Sequence, residues 1–131
     1  MEENFKLEII SPEKIIFSDN VKMVKIPSYE GDMSILKNHI AIITFLRPGI
    51  VRVENKDGNV EEFFVEDGTI EFFNNNLILL TASAVNLKTL SKQLLEKLIN
   101  ESKEKLSKED ITDKDRYILN HKINVIEEIG I

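Results

Sequence analysis

The side chains that most often do chemistry are sparse in this 131-residue sequence. Its two histidines, His39 and His121, are far apart, and no His-x-x-x-His pair exists. Cysteine is absent, which removes disulfides, a thiolate nucleophile and zinc–sulfur ligation, and suits a reducing compartment. Asp19, Glu30 and Asp32 lack the alternating ligand spacing of a ~12-residue calcium loop. The five glycines each fit a turn or a cap, so there is no glycine-rich phosphate cradle. Glu61-Glu62 and Glu66-Asp67 are adjacent carboxylates, but neighbours on a strand point to opposite faces and cannot share a proton. These residues predict a non-enzyme with no catalytic residue, no metal and no cofactor.

Two segments stand out as surfaces for a partner. Residues 29–39 mix Glu30, Gly31, Asp32, Lys37, Asn38 and His39 with the apolar Met33, Ile35 and Leu36. One reading is a hairpin whose apolar members fill the core; the other is a docking surface, which loops on rigid β scaffolds often supply. The second segment is the C-terminal third, read below as helical. The formal charge of −6 argues against nucleic acid, which needs a basic face, and against adsorption to an anionic membrane. No run approaches the roughly 20 apolar residues that cross a bilayer. No basic segment followed by an apolar one opens the chain, so a secretory leader is not expected.

The elements that must position these segments differ along the chain. Residues 1–85 carry 8 basic and 14 acidic side chains, and residues 86–131 carry 9 of each. All seven phenylalanines lie in the first part. There, Phe5, Leu7 and Ile9 alternate with Lys6 and Glu8, a half-buried strand that Ser11-Pro12 ends. A short run at 15–17 follows, closed by Ser18-Asp19-Asn20. Residues 21–26 change apolar parity, which predicts a bulge near Met23-Val24. Residues 40–46 are almost wholly apolar and predict a strand buried on both faces. Arg47-Pro48-Gly49, Lys56-Asp57-Gly58, Glu66-Asp67-Gly68 and Asn74-Asn75-Asn76 punctuate further strands at 51–53, 60–65, 69–73 and 77–81. Short strands with turns this frequent predict an antiparallel sandwich or barrel.

After Leu87 the apolar period changes to that of a helix. Leu87, Leu90, Leu94 and Leu98 form one stripe, widened by Leu95 and Ile99. Asn86 or Thr89 is the expected N-cap. Ser107-Lys108-Glu109-Asp110 breaks the pattern. Thr112 then caps a second helix with Asp113 and Asp115 in its first turn, where the dipole favours anions. Leu119, Ile123 and Ile126 form its stripe, and Gly130 ends it. The fold class is therefore α+β: an N-terminal antiparallel β-sandwich over 1–85 and a C-terminal two-helix antiparallel hairpin over 86–131. Helices this short are marginal alone, so the hairpin is expected to be weakly held and mobile.

In this order of elements the chain resembles the epsilon subunit of bacterial F-type ATP synthase. Glu30-Gly31-Asp32-Met33-Ser34-Ile35-Leu36-Lys37-Asn38-His39-Ile40-Ala41 resembles the family's Glu-Gly-Glu-Leu-Gly-Ile-Leu-Pro-Gly-His-Ala-Pro. Leu46-Arg47-Pro48-Gly49 resembles its Leu/Ile-Lys-Pro-Gly. Leu7-Glu8-Ile9-Ile10-Ser11-Pro12-Glu13 and Phe17-Ser18 fit its opening strands, and Asp67-Gly68 stands at its Gly-Gly segment. The resemblance spans nearly the whole chain. It implies a non-catalytic central-stalk subunit whose sandwich clamps the gamma subunit and rests on the c-ring. Glu30, Gly31, Asp32, Lys37, Asn38 and His39 would form the loop facing the ring. It also implies that the hairpin extends toward the alpha and beta subunits and inhibits ATP hydrolysis, with Lys114, Arg116 and Lys122 as its cations. In members that bind ATP on this subunit, an Asp-x-x-Arg motif opens the first helix. Here Ser91 and Leu94 stand at those positions, so ATP binding is not expected. The implied location is peripheral, on the cytoplasmic face of the bacterial plasma membrane, held there only through the complex. Two other readings stay open on the residues alone: a stand-alone β-sandwich adaptor for another helical partner, and a small-ligand sensor.

Overall fold

A computed structural model describes residues 3–130. The order of elements is β1 (Phe5–Ile10), β2 (Ile15–Ser28), β3 (Gly31–Leu36), β4 (Ile42–Leu46), β5 (Gly49–Asn55), β6 (Val60–Val65), β7 (Gly68–Phe73), β8 (Asn76–Leu80), β9 (Ala84–Asn86), α1 (Lys92–Leu106) and α2 (Asp113–Ile129). Two compact units result, Met1–Leu87 and Lys88–Ile131. The first extends past residue 85 because β9 pairs with β6 through Asn86.

The first unit is a nine-strand β-sandwich built around one long strand. The early part of β2 pairs with β1, its middle with β5 and its final half, from Met23 to Ser28, with β3, while Ser28 also meets Leu46 of β4. One layer therefore runs β1-β8-β7-β4 and the other runs β3-β2-β5-β6-β9, with β2 forming the corner. The described pairings are antiparallel except β1 with β8, which run parallel. Ser18-Asp19-Asn20 does not end a strand, contrary to the sequence reading. It stays in β2 opposite Leu7 and Glu8, because these polar residues sit where an exposed ladder needs no apolar face. The expected bulge is present one step earlier, between Val21 and Met23 against β5. It restores parity, so that Val21, Val24 and Ile26 are all buried.

The core is filled from both layers by alternating positions: Phe5, Leu7 and Ile9 of β1, Ile70 and Phe72 of β7, and Val51 and Val53 of β5. Phe5 and Phe72 pack edge to face with ring centroids 5.5 Å apart, a favoured aromatic arrangement. Gly68 opens β7 at φ +155, and a Cβ there would come within 2.8 Å of the Leu80 carbonyl oxygen and 3.3 Å of Leu46 Cδ1. Both the conformation and the crowding call for glycine. Gly68→Ala should therefore lose about 1–3 kcal/mol, from strain of the kind stored at disfavoured backbone angles. Urea denaturation of the full chain reads this directly, and an unchanged midpoint would contradict it.

The second unit is a pair of antiparallel helices. Ser91, rather than Asn86 or Thr89, caps α1: its Oγ accepts from the Leu94 amide at 3.0 Å. Residues Leu87–Thr89 form a short 3-10 turn instead, which moves the cap onward. Thr112 caps α2 as expected, with its Oγ1 accepting from the Asp115 amide at 3.0 Å. The end of α2 returns to the start of α1, since a Cβ on Gly130 would lie 3.9 Å from Leu95 Cδ1. Leu95, Ile123 and Ile126 are buried, while Leu94, Leu98 and Leu119 of the stripes read from the sequence are half-buried.

Candidate docking surfaces

The segment read as one ring-facing loop is two turns separated by a strand. Glu30 and Gly31 lie at the β2–β3 turn, and Asp32 pairs with Pro27 just inside it. Lys37, Asn38 and His39 follow the far end of β3. At about 3.3 Å per residue, the six residues of β3 place these groups roughly 20 Å apart. Of the two readings open for this segment, an exposed docking loop and a hairpin whose apolar members fill the core, the antiparallel pairing of β2 with β3 matches the hairpin. Alternating burial of 31–36, with Ile35 fully covered, makes this segment a strand.

The acidic turn is tightly wired. Gly31 takes φ +121. Ser28 is buried, its hydroxyl donates to the Gly31 carbonyl at 2.6 Å, and the Glu30 amide donates to Ser28 Oγ at 3.2 Å. Arg47 closes the turn from β4: its Nε donates to the Ser28 carbonyl at 3.0 Å, and a terminal nitrogen meets Asp32 at 3.3 Å. Lys25 lies 3.8 Å from the same carboxylate. An exposed pair of this kind is worth only about 0–1 kcal/mol, so its effect is geometric. Asp32 is thus neutralised within the chain, whereas Glu30 presents its carboxylate to solvent.

The His39 turn is braced differently. The His39 amide donates to the Leu36 carbonyl at 3.1 Å, and its ring stands edge-on to Phe72 at 5.8 Å. A carbonyl only accepts, so the 2.7 Å contact to the Ile40 carbonyl places a proton on Nδ1 of His39. Asn38, at φ +67, donates its amide to Asn75 Oδ1 at 2.7 Å. Lys37 is exposed.

A third surface was missed in the sequence. Residues 40–46 were read as buried on both faces, yet Ile40, Ile43 and Phe45 are 78%, 74% and 63% exposed. Only Leu46 of β4 is fully covered. The register extends this into a face across four strands: Phe45 beside Thr69, Leu80 and Ile10, and Ile43 beside Glu71, Ile78 and Glu8. Phe73, also exposed, completes the face near the His39 turn. Several exposed apolar side chains grouped on one sheet face are a common mark of an interaction site. An apolar run reads alike whether its own chain or a partner covers it, so only the outward Glu71, opposite Ile43, hinted at this face.

In the helical unit, Lys114 and Arg116 are exposed and Lys122 is buried. The three cations therefore do not share one surface. Ser91 and Leu94 are engaged in the α1 cap described above. Among the described residues, no group of three or more His, Asp or Glu side chains is placed to hold a metal ion. No helix among the described residues is long and apolar enough to cross a membrane.

The fold is a β-sandwich with an exposed apolar face, followed by two helices. The chain belongs to the ATP synthase delta/epsilon family: residues 4–87 match the family model described as ATP synthase, Delta/Epsilon chain, beta-sandwich domain. An ATP synthase epsilon chain of Pelagibacter ubique is 43% identical over 131 residues, covering 99% of this chain and 100% of that one. The epsilon chain of Sinorhizobium fredii is 35% identical, covering 81% of this chain and 79% of its own length. Among solved structures, a chain of the Euglena gracilis mitochondrial ATP synthase, resolved with OSCP, F1 and c-ring, matches with TM-score 0.76 at 22% identity, covering 95% of this chain and 78% of that chain. A chain of the Tetrahymena thermophila mitochondrial ATP synthase central stalk and c-ring matches with TM-score 0.64 at 12% identity, covering 96% of each. At those identities the two structures speak to the fold.

Proposed function

We propose that this chain is a rotor subunit of an F-type ATP synthase, a non-catalytic part of the central stalk that helps couple ion flow through the c-ring to the catalytic head. The observation that carries this reading is the exposed apolar face of β4, β7 and β8 in a chain of this family. The face suits a helical surface of the stalk, the gamma subunit in the family's arrangement. Glu71 and Glu8 in its second row favour a partner that brings a cation between apolar side chains. The acidic turn at Glu30, one strand length from His39, is the surface proposed to meet polar loops of the c-ring. The His39 turn borders the apolar face and is assigned to its rim. The helical hairpin is the proposed brake on ATP hydrolysis. The chain then sits on the membrane only through the complex, on the cytoplasmic face in a bacterium. It binds no ATP of its own, because Ser91 offers no carboxylate and Leu94 no guanidinium.

Glu30→Lys tests the ring contact. The side chain is exposed and forms no part of the Ser28–Arg47 wiring, so folding should be unaffected. ATP-driven ion pumping by the reconstituted complex should fall several-fold relative to hydrolysis, through like-charge or lost complementary contacts. Pumping that stays in step with hydrolysis would remove Glu30 from the coupling surface.

A further inference from the structure

The described chain has three non-glycine residues in the left-handed backbone region, and two of them grip each other. Asn74 at φ +52 and Asn75 at φ +61 are the two central residues of the β7–β8 hairpin. A tight two-residue hairpin turn of this kind requires positive φ at both, which asparagine tolerates better than most residues. The turn leaves the Asn75 side chain free to reach a different loop. Its Oδ1 accepts the Asn38 amide at 2.7 Å, and its Nδ2 donates to Asn38 Oδ1 at 3.2 Å. The orientation of the Asn75 amide follows from chemistry: a backbone N–H only donates, so the group facing it is the oxygen. Asn75 is itself anchored, because its carbonyl accepts the Lys6 amide of β1 at 3.1 Å.

We propose that Asn75 is a positioning residue that sets the rim of the docking face before a partner arrives. The clamp joins two loops that are 37 residues apart in sequence. Each loop adjoins an exposed apolar side chain: Phe73, which shares the outward parity of Thr69 and Glu71, precedes the Asn74-Asn75 turn, and Ile40, which lies just before β4, follows Asn38-His39. Tying the loops together therefore fixes Phe73 and Ile40 relative to each other. The edge-on contact of His39 with Phe72 supports the same loop from the core side. A binding surface held in its bound form spends no affinity on ordering. If loss of the clamp leaves the rim competent about a tenth of the time, apparent affinity falls about tenfold. This inference rests on the reading of the apolar face as a docking surface.

Asn75→Gly removes the side chain while keeping a residue suited to φ +61. Asn75→Asp keeps the acceptor for the Asn38 amide, loses the donor and adds a negative charge. In the full chain, hydrogen exchange at the Asn38 amide should accelerate roughly tenfold in Asn75→Gly and much less in Asn75→Asp. Affinity for ATP synthase depleted of this subunit should fall about tenfold in Asn75→Gly, at unchanged melting temperature, and recover in Asn75→Asp. Unchanged Asn38 exchange in Asn75→Gly would overturn the clamp. Faster exchange with unchanged affinity, where Ile43→Glu does weaken binding, would overturn the positioning role alone. Binding indifferent to Ile43→Glu as well would overturn the docking reading and the positioning role with it.

Discussion

Replacing Ile43 and Phe45 together by glutamate is expected to release the chain from the complex while leaving its fold intact. Both side chains point away from the core, at 74% and 63% exposure, so their removal opens no cavity. Surface substitutions of this kind usually change stability by no more than about 0.5 kcal/mol. Their cost appears on binding. Central apolar anchors of an interface are commonly worth about 2 kcal/mol or more each, and a buried unpaired charge adds to the loss. Here the new carboxylate at 43 would also stand directly opposite Glu71 on the neighbouring strand. A fall in affinity of about 100-fold or more follows, allowing for incomplete additivity. Size-exclusion retention of the chain on the complex reads the effect, and circular dichroism reads the fold. A double variant that folds and stays bound would show that this face meets no partner.

Cutting the chain after Leu87 is expected to raise ATP hydrolysis by the assembled enzyme several-fold. The cut falls where the two compact units divide, beyond the β9 pairing with β6, so the sandwich keeps all nine strands. The helical unit is self-contained in its local chemistry, with Ser91 and Thr112 satisfying the amide ends of their own helices. An element that could keep its secondary structure while its packing changed would suit two states separated by a few kcal/mol. Lys114 and Arg116 are exposed, whereas Lys122 is only 7% exposed. Lys114→Glu with Arg116→Glu should reproduce part of the truncation effect. Equal hydrolysis by the whole and truncated assemblies would mean that the hairpin is no brake.

Much of this architecture was written in local chemistry. Alternation in Phe5-Lys6-Leu7-Glu8-Ile9, the Lys56-Asp57-Gly58 turn and the Thr112 cap each follow from short-range rules, and each is where the sequence placed it. What depended on neighbours was harder to read. The polar Ser18-Asp19-Asn20 resembles a strand end, yet it lies within β2 because β1 supplies its ladder. Residues 40–46 carry apolar side chains on both parities, and nothing local tells a covered face from a face awaiting a partner. The site residues suffered most from this. Glu30 and His39 are close in sequence and roughly 20 Å apart in space, because one six-residue strand separates them. Asn75 gave no signal beyond its turn, since its link to Asn38 exists only once β7 and β8 have paired beside β4.

Ion pumping by the complex, with and without this chain, tests the central claim most directly. ATP synthase depleted of the subunit, placed in vesicles and given ATP, should hydrolyse it while pumping few ions. Adding back the full chain should restore pumping in step with hydrolysis. Pumping that is complete without the chain, and unchanged by its return, would contradict a role in the rotor.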